Sequence, residues 1–487
     1  MSMAVADPKT LPPVVVGAGP AGVRAVQALV AHGVRPVLVD EAPRGGGQIY
    51  RQPPPGFSRP ARALYGFEAS RALALHTSLA ALLPQIDHRP DTLVWHAMAP
   101  AHDAGRADHP GELSLLHGPS ATQHSLPIGQ LLLATGATDR VLPLPGWTLP
   151  GVFSLGGAQV ALKSQACAIG QRVVFIGTGP LLYLVAWQYL KAGVTVAAVL
   201  DNASLGDQIA ALPAMALQPA VLAKGAWFVA QLMAAGVPLH RGARALRMLG
   251  NAAGQRLQAV LWSDGRREHT LACDGAALGH GLRSETQLAD LLGCAFDWNP
   301  LHRAWLPRRD GAGRSSAPGV YLAGDGAGIL GADAAELAGE RAALAMLADR
   351  GVAVDADRAQ WLDGRLSRSN RFRQGLERAF PFPEDWAAQT PDDTIICRCE
   401  QLSAGELRRV VVETGARELN RLKALSRLGM GRCQGRMCGA AAAELLAQAS
   451  GQPVDQVGRL RGQAPVKPIP IHALPALLPT EQPEGDA

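Results

Sequence analysis

PPVVVGAGPAGVRAVQALVAHGVRPVLVDEAP, residues 12–43, reads as strand, glycine turn, helix and strand. Apolar β-branched runs flank a stretch of helical period, which is the pattern of a βαβ unit. Inside it, Gly17, Gly19 and Gly22 have the spacing of a dinucleotide fingerprint. Gly17 serves the tight turn, Gly19 lets the backbone approach a pyrophosphate, and Gly22 allows close helix packing. Pro20 and Ala21 open the helix, whose N-terminal amides can hold phosphate. Asp40, followed by Glu41, ends the second strand, where a carboxylate can take both hydroxyls of an adenosine ribose. A glycine turn alone is weak evidence, but strand, helix and terminal acid in register predict a bound dinucleotide.

Residues 171–204, QRVVFIGTGPLLYLVAWQYLKAGVTVAAVLDNAS, repeat the plan, so Gly17 and Gly177 stand at equivalent points of two Rossmann-like halves. The copy is imperfect, because Leu182 occupies the place of the third glycine. A bulky side chain there pushes helix from strand or takes space a nucleotide needs, while Asp201 still ends the following strand. Two readings stand: a retained scaffold, or a working NAD(P)H site. Between the halves lies a Pro- and Gly-rich crossing, 141–157. After the second half the chain passes a turn-rich loop, 301–319, into a last strand and helix, 319–347. That order predicts one domain interrupted by another.

At 487 residues the chain has room for about three packed units. Its 48% apolar and 18% charged residues are those of a globular protein, and no apolar run is long enough to span a membrane. The start, MSMAVADPKTLPP, has neither a basic stretch nor an apolar signal core, so a cytoplasmic location is expected. The net charge of +5 comes from scattered arginines, which argues against a nucleic-acid groove.

Four of the seven cysteines fall between 397 and 438, as Cys397-Arg-Cys399 and Cys433-Gln-Gly-Arg-Met-Cys438. In a reducing compartment such clustering points to a metal or redox centre. Structural zinc usually spaces each pair by two to four residues. A two-iron cluster can be gripped by a Cys-x-Cys turn on one iron and a second pair on the other, with Gly429, Gly431, Gly435 and Gly439 turning amides toward sulfur. The intervening Ser403–Leu428 stretch has helical spacing. Cys167, Cys273 and Cys294 stand apart and read as buried structural thiols. No redox-active cysteine pair or catalytic triad is visible. His280 and His302 read as surface or packing residues.

The crossing strand LLLATGATD, with Thr135 and Gly136, and the distant VYLAGDGAG, with Gly324 and Asp325, resemble the second and third motifs of two-dinucleotide flavoprotein reductases. That resemblance implies FAD. It also implies that Asp325 holds the ribityl chain, and that the helix beginning near Gly331 and Ala332 points its positive end at the flavin pyrimidine oxygen. GGGQIYRQ at 45–52, with Gly47 and Gln48, is placed by it beneath the flavin phosphates and ring. The cysteine segment resembles the bacterioferritin-associated-ferredoxin type of [2Fe-2S] domain.

Together with RVLPLPGWTLPGVFSLGGAQ, the degenerate GTGPLL and the closing PVKPIP, these motifs resemble one family over nearly the whole chain. It comprises the A subunits of opine oxidases, the FAD subunit of D-hydroxyproline dehydrogenase and the B subunit of hydrogen cyanide synthase. The resemblance implies an α/β fold of two Rossmann-like domains plus a small, mainly helical [2Fe-2S] domain. Expected boundaries are 1–150 and 283–350 for the FAD-binding domain and 151–282 for the NAD(P)-binding-like domain. They continue as 351–390 for a linker, 391–460 for the cluster domain and 461–487 for an extended tail.

The family resemblance further implies a hetero-oligomer that oxidises an amine, imino acid or opine. Its partners would be an amine-oxidase-like flavoprotein subunit and a small ferredoxin-like subunit, with an external acceptor such as a quinone. Peripheral membrane association would then come through the complex. The competing readings are a self-contained NAD(P)H-dependent reductase and a non-catalytic iron–sulfur binding or assembly module.

Overall fold

A computed structural model describes residue 8 and residues 10–57, 59–100 and 110–473; the rest of the expected tail, 474–487, lies outside the described residues. Val14–Val16 is a fully apolar strand buried on both faces, as the centre of a parallel sheet requires. It lies between Val37–Val39 and Leu131–Leu133, with Val14 opposite Val37 on one side and Leu131 on the other. Val320–Leu322 and Asp87–Arg89 complete the five strands. The first half of the chain therefore finishes its sheet with a strand that arrives more than 150 residues after its neighbour, which is the interruption that the order of motifs implied.

The helix Pro20–Ala31 buries Ala21, Gly22, Val23, Ala25, Val26 and Leu29. It packs against the helix Ala332–Asp349, which buries Ala335, Ala338, Gly339, Ala342 and Ala343 and whose Glu336 accepts from Arg24 at 2.7 Å. The approach is close: a Cβ on Gly339 would stand 1.9 Å from the Ala21 carbonyl oxygen. Small residues here let one helix press its N-terminus over the cofactor end of the sheet beside the other.

The second unit has its own parallel sheet, in the order Leu239–Arg241, Thr195–Asp201, Arg172–Thr178, Gly275–His280, Val152–Ser154. The strands that leave and re-enter the first unit, Ala137–Asp139 and Leu282–Ser284, pair antiparallel with each other. They form the double passage between the halves.

The stretch expected as a linker, 351–390, instead holds a 24-residue helix, Ala356–Ala379. Asp355 caps it by accepting the Arg358 amide at 3.0 Å. Only Leu362, Phe372, Gly375 and Ala379 are buried along it. Gly375 is needed where the helix crosses Leu212–Met215, since a Cβ there would come within 2.7 Å of the Ala214 methyl. The segment is a brace across both Rossmann units.

The last domain is a short hairpin, Ile395–Cys397 with Leu402–Ser403, followed by helices Ala404–Thr414, Leu419–Ser426 and Gly439–Ser450. Ser403 and Glu406 make a reciprocal capping box at the first of these. The expected helical stretch is thus two helices, parted where Gly415 adopts a left-handed φ of 65°. Among the described residues no helix is long and apolar enough to cross a membrane.

Candidate cofactor sites and the surface between them

The first glycine turn is built as its spacing requires. Gly17 has a φ of 109°, and a Cβ on it would lie 2.3 Å from the Ala134 oxygen. A Cβ on Gly22 would lie 1.7 Å from the Gly17 oxygen, so only glycine lets the helix start this close to the strand. Pro20 and Ala21 form the first turn of that helix. Gly47, at a φ of 60°, faces Gly19, so two side-chain-free positions oppose each other above the helix N-terminus. That cradle is the space a pyrophosphate needs.

Asp40 is half-buried and accepts the amides of Ala18 and Ala42. Burial pushes its pKa up, against those two hydrogen bonds. Glu41 is exposed and pairs with Lys467 of the tail, while Gln48 is exposed and accepts from Arg51. Asp325 accepts the amides of Leu330 and Gly331 on one oxygen, both at 3.0 Å, which orients the carboxylate at the end of the Ala332–Asp349 helix. Gly324 and Gly331 have φ values of 69° and 90° and need glycine. Thr135 donates to the Glu285 carbonyl at 2.7 Å, and Gly136 accepts from the Glu285 amide at 2.9 Å. The structure thus gathers the fingerprint, the 45–48 loop and both distant motifs at one end of the first sheet. These residues fit FAD.

The second glycine turn differs. Gly177 and Gly179 keep positive φ, and Gly177 is locked by the Gly279 carbonyl, 1.6 Å from where a Cβ would stand. Leu182 points into the core with Val173 and Phe175. Asp201 is fully buried, with its oxygens taken by the Tyr183 hydroxyl at 2.7 Å, the Gln208 amide at 3.3 Å and the Ala203 amide at 2.9 Å. Burial pushes its pKa up to about 6. A carboxylate so engaged is not presented to a ribose. Pro381, Phe382, Pro383, Asp385 and Trp386 face the strand ends across a cavity of about 260 Å³ lined also by Asn202, Arg244 and His280. Phe382 is stacked by Arg140 and Arg303, and the Trp386 indole donates to the Pro143 carbonyl at 3.0 Å.

Beside this cavity His280 is buried, with its Nδ1 lacking a protein partner among the described residues. Burial, then Arg140, holds its pKa down at about 3; His302 is held at about 4 by burial and Arg373. Both are packing residues. An unfolded histidine binds a proton near pH 6.5, so these two give stability that is fully present above that value and lost as pH falls. Going from pH 7 to 5 should cost roughly 2 kcal/mol for each. Urea midpoints for wild type and His280→Gln measure it, and a variant with an unchanged pH slope would refute the assignment.

The four cysteine sulfurs converge. Cys397 and Cys438 are within hydrogen-bonding reach of each other, as are Cys433 and Cys438, and Cys399 and Cys433. The contacts run across the two sequence pairs as well as within one. The Cys438 hydrogen bond pulls Cys433 down to about 5 and Cys397 to about 6, helped by amides of Met437 and Gly435 for the first and Gly429 for the second. Gly431 leaves room for Cys399, whose Cβ would otherwise sit 2.3 Å from a side chain. Among the described residues no group of three or more His, Cys, Asp or Glu is arranged as a cage for a single ion. A row of four thiols with amides turned toward it suits a [2Fe-2S] unit. Of the other thiols, Cys273 and Cys294 are buried as expected, whereas Cys167 is exposed.

Sequence reading did not anticipate the segment that joins the sites. Arg283, Glu285 and Gln287 all reach the cysteine loop, and Asp290 receives a bidentate Arg459. Arg303 likewise forks onto Glu444 at 2.9 and 2.8 Å. No spacing rule flags these residues, because their partners lie 141 to 169 positions away.

Comparison with known proteins agrees with this construction. The pyridine nucleotide-disulphide oxidoreductase model matches residues 12–350, and the BFD-like [2Fe-2S] binding domain matches 395–448. The A subunit of opine oxidase from Agrobacterium tumefaciens is 35% identical over 94% of this chain and 90% of its own. The HcnB subunit of hydrogen cyanide synthase from Pseudomonas protegens is 35% identical over 96% and 98%. The crystal structure of L-proline dehydrogenase from P. horikoshii shares the fold, with a TM-score of 0.70 at 18% identity over 95% of this chain and 79% of that one. The chain belongs to the pyridine nucleotide-disulphide oxidoreductases, in the FAD- and [2Fe-2S]-containing family of the opine oxidase A subunits and the HcnB subunits of hydrogen cyanide synthase.

Proposed function

We propose that this chain is the electron-relay subunit of a heteromeric amine, imino-acid or opine dehydrogenase. Substrate oxidation takes place at the flavin of an amine-oxidase-like partner, and a small ferredoxin-like subunit and a quinone-type acceptor complete the system. Gly17, Gly19, Gly22, Asp40 and Asp325 hold FAD; Cys397, Cys399, Cys433 and Cys438 hold the cluster. Flavin suits such a junction because it accepts electrons in pairs and releases them singly. The observation that carries the reading is the engaged second crevice: Asp201 is tied to Tyr183, and Pro381, Phe382, Pro383, Asp385 and Trp386 wall the cavity at the strand ends. With Asp201 turned away from a ribose and no redox cysteine pair beside the flavin, electron exchange with a partner protein is the reading these residues support. The subunit names of its relatives support the same assembly.

The competing reading, a self-contained NAD(P)H-dependent reductase, draws on the retained Gly177 and Gly179. An anaerobic titration of the purified chain with NADH and NADPH separates the two. We expect the flavin absorbance to stay at its oxidised value with either nucleotide, and to bleach when an amine-oxidising partner and its substrate are added. Stoichiometric bleaching by NADH alone would overturn the relay reading.

A further inference from the structure

Residues 283–287 touch both cofactor sites at once. Toward the flavin motifs, the Ser284 hydroxyl donates to the Asp325 carbonyl at 2.6 Å, and the Glu285 backbone is pinned at both ends by Thr135 and Gly136. Toward the cysteines, Arg283 donates to the carbonyls of Gly435 and Arg436 at 3.2 and 3.1 Å. Gln287 donates to the Gln434 carbonyl at 2.6 Å. Glu285 takes a two-pronged hydrogen bond from Arg436, at 2.6 and 3.2 Å. Three of the four residues between Cys433 and Cys438 are therefore held by one short segment of the FAD-binding domain.

The charges on this surface are unequal in effect. Arg436 is neutralised by Glu285, and both are largely buried, with 13% and 17% of their side chains exposed. Arg283 spends its hydrogen bonds on neutral carbonyls, leaving its positive charge beside the cysteine loop. Burial lowers the Arg283 pKa and Arg436 adds to that, while Glu285 first and then Cys438 and Cys433 draw it back up; the guanidinium lies against Gly439, 3.4 Å from where a Cβ would stand beside Cys438. A cluster becomes more negative when reduced, and hydrogen bonds and charge in the surrounding shell set its potential.

We propose that Arg283 and Glu285 are positioning residues of opposite sign for the [2Fe-2S] cluster: Arg283 raises its potential, Glu285 restrains it, and together they fix the cluster loop against the FAD-binding strand. The proposal rests on the reading that the four cysteines hold the cluster. A cation on the loop favours the added electron; a carboxylate opposes it, directly and by neutralising Arg436.

The test is a redox titration of the full-length holoprotein followed by electron paramagnetic resonance, with dithionite as the one-electron donor and iron and sulfide assayed in parallel. At the wild-type midpoint, Arg283→Gln should lower the reduced-to-oxidised ratio about tenfold, which is 59 mV for a one-electron couple. Glu285→Gln should raise it by a similar factor, and Arg283→Lys should stay within about threefold of wild type. Opposite signs distinguish the proposal from mere loosening, which would move both variants alike. If Arg283→Gln binds less iron, Glu285→Gln and Arg283→Lys decide the matter with the same expected directions. Variants that bind iron as wild type does but whose cluster potential ignores both substitutions, or shifts the same way in both, overturn the assignment of Arg283 and Glu285 alone. A wild-type protein with no iron and no signal after reduction overturns the cluster reading, and the proposal with it.

Discussion

Cys433→Ser is expected to give a protein that keeps its FAD and lacks its cluster, with iron and acid-labile sulfide reduced at least tenfold. Cys433 sits within reach of both Cys399 and Cys438, so it is one of the two inner members of the sulfur row and its loss parts Cys399 from the other two. A serine hydroxyl gives up its proton far less readily than a thiol, so it is the poorer ligand for a cluster held by thiolates. The domain should remain folded, since its apolar core of Leu407, Leu422, Leu445 and Leu446 does not depend on that thiol. Flavin should be untouched, because the residues that fit FAD lie on the first sheet and on the helices above it. Metal analysis and the visible spectrum of purified protein decide the point. Full iron and sulfide in the variant would mean that Cys433 is not a ligand.

Gly22→Val should do the reverse. Its Cβ would be placed 1.7 Å from the Gly17 oxygen, well inside any tolerable contact, and no side chain is there to yield. The helix has to back away from the strand, and the amides at its N-terminus withdraw from the phosphate position. We expect FAD affinity to drop at least a hundredfold, about 2.8 kcal/mol, while iron stays bound. Flavin released on gel filtration measures it. A variant that retains stoichiometric FAD would show that the pyrophosphate is held elsewhere.

Much of this architecture was legible because local pattern and tertiary role coincide. The glycine triplet from Gly17 to Gly22 is a backbone requirement: Gly17 has a positive φ, and neither Gly17 nor Gly22 has room for a Cβ. The cysteine pairs were equally readable, since thiols have few other reasons to cluster. The helix Ala356–Ala379 was not. Its four buried positions are spread along 24 residues and two of them are Gly375 and Ala379, so no apolar stripe marks a buried face. The engagement of Asp201 was also hidden. The terminal acid is in place, and only the fold reveals that Tyr183, one turn into the helix, turns its hydroxyl back onto it. Arg283 and Glu285 look like ordinary solvated charges in the sequence, because the loop they hold comes from the far end of the chain.

The Val320–Leu322 strand and the Ala332–Asp349 helix, which close the first sheet and cover its leading helix, have a consequence for biosynthesis. The opening residues cannot finish folding as they emerge from the ribosome; they must wait until about residue 349 has been made. Only the second Rossmann unit, whose two ends meet in a pair of antiparallel strands, is free to fold as it is synthesised. The clasp from Lys467 to Glu41, 426 positions apart, and the packing of Ala473 against Trp95 can form only once nearly the whole chain has been made. Nascent chains stalled before the Val320–Leu322 strand should therefore present the bare edge of Leu131–Leu133 and the uncovered face of the Pro20–Ala31 helix to chaperones, and those released past residue 467 should not.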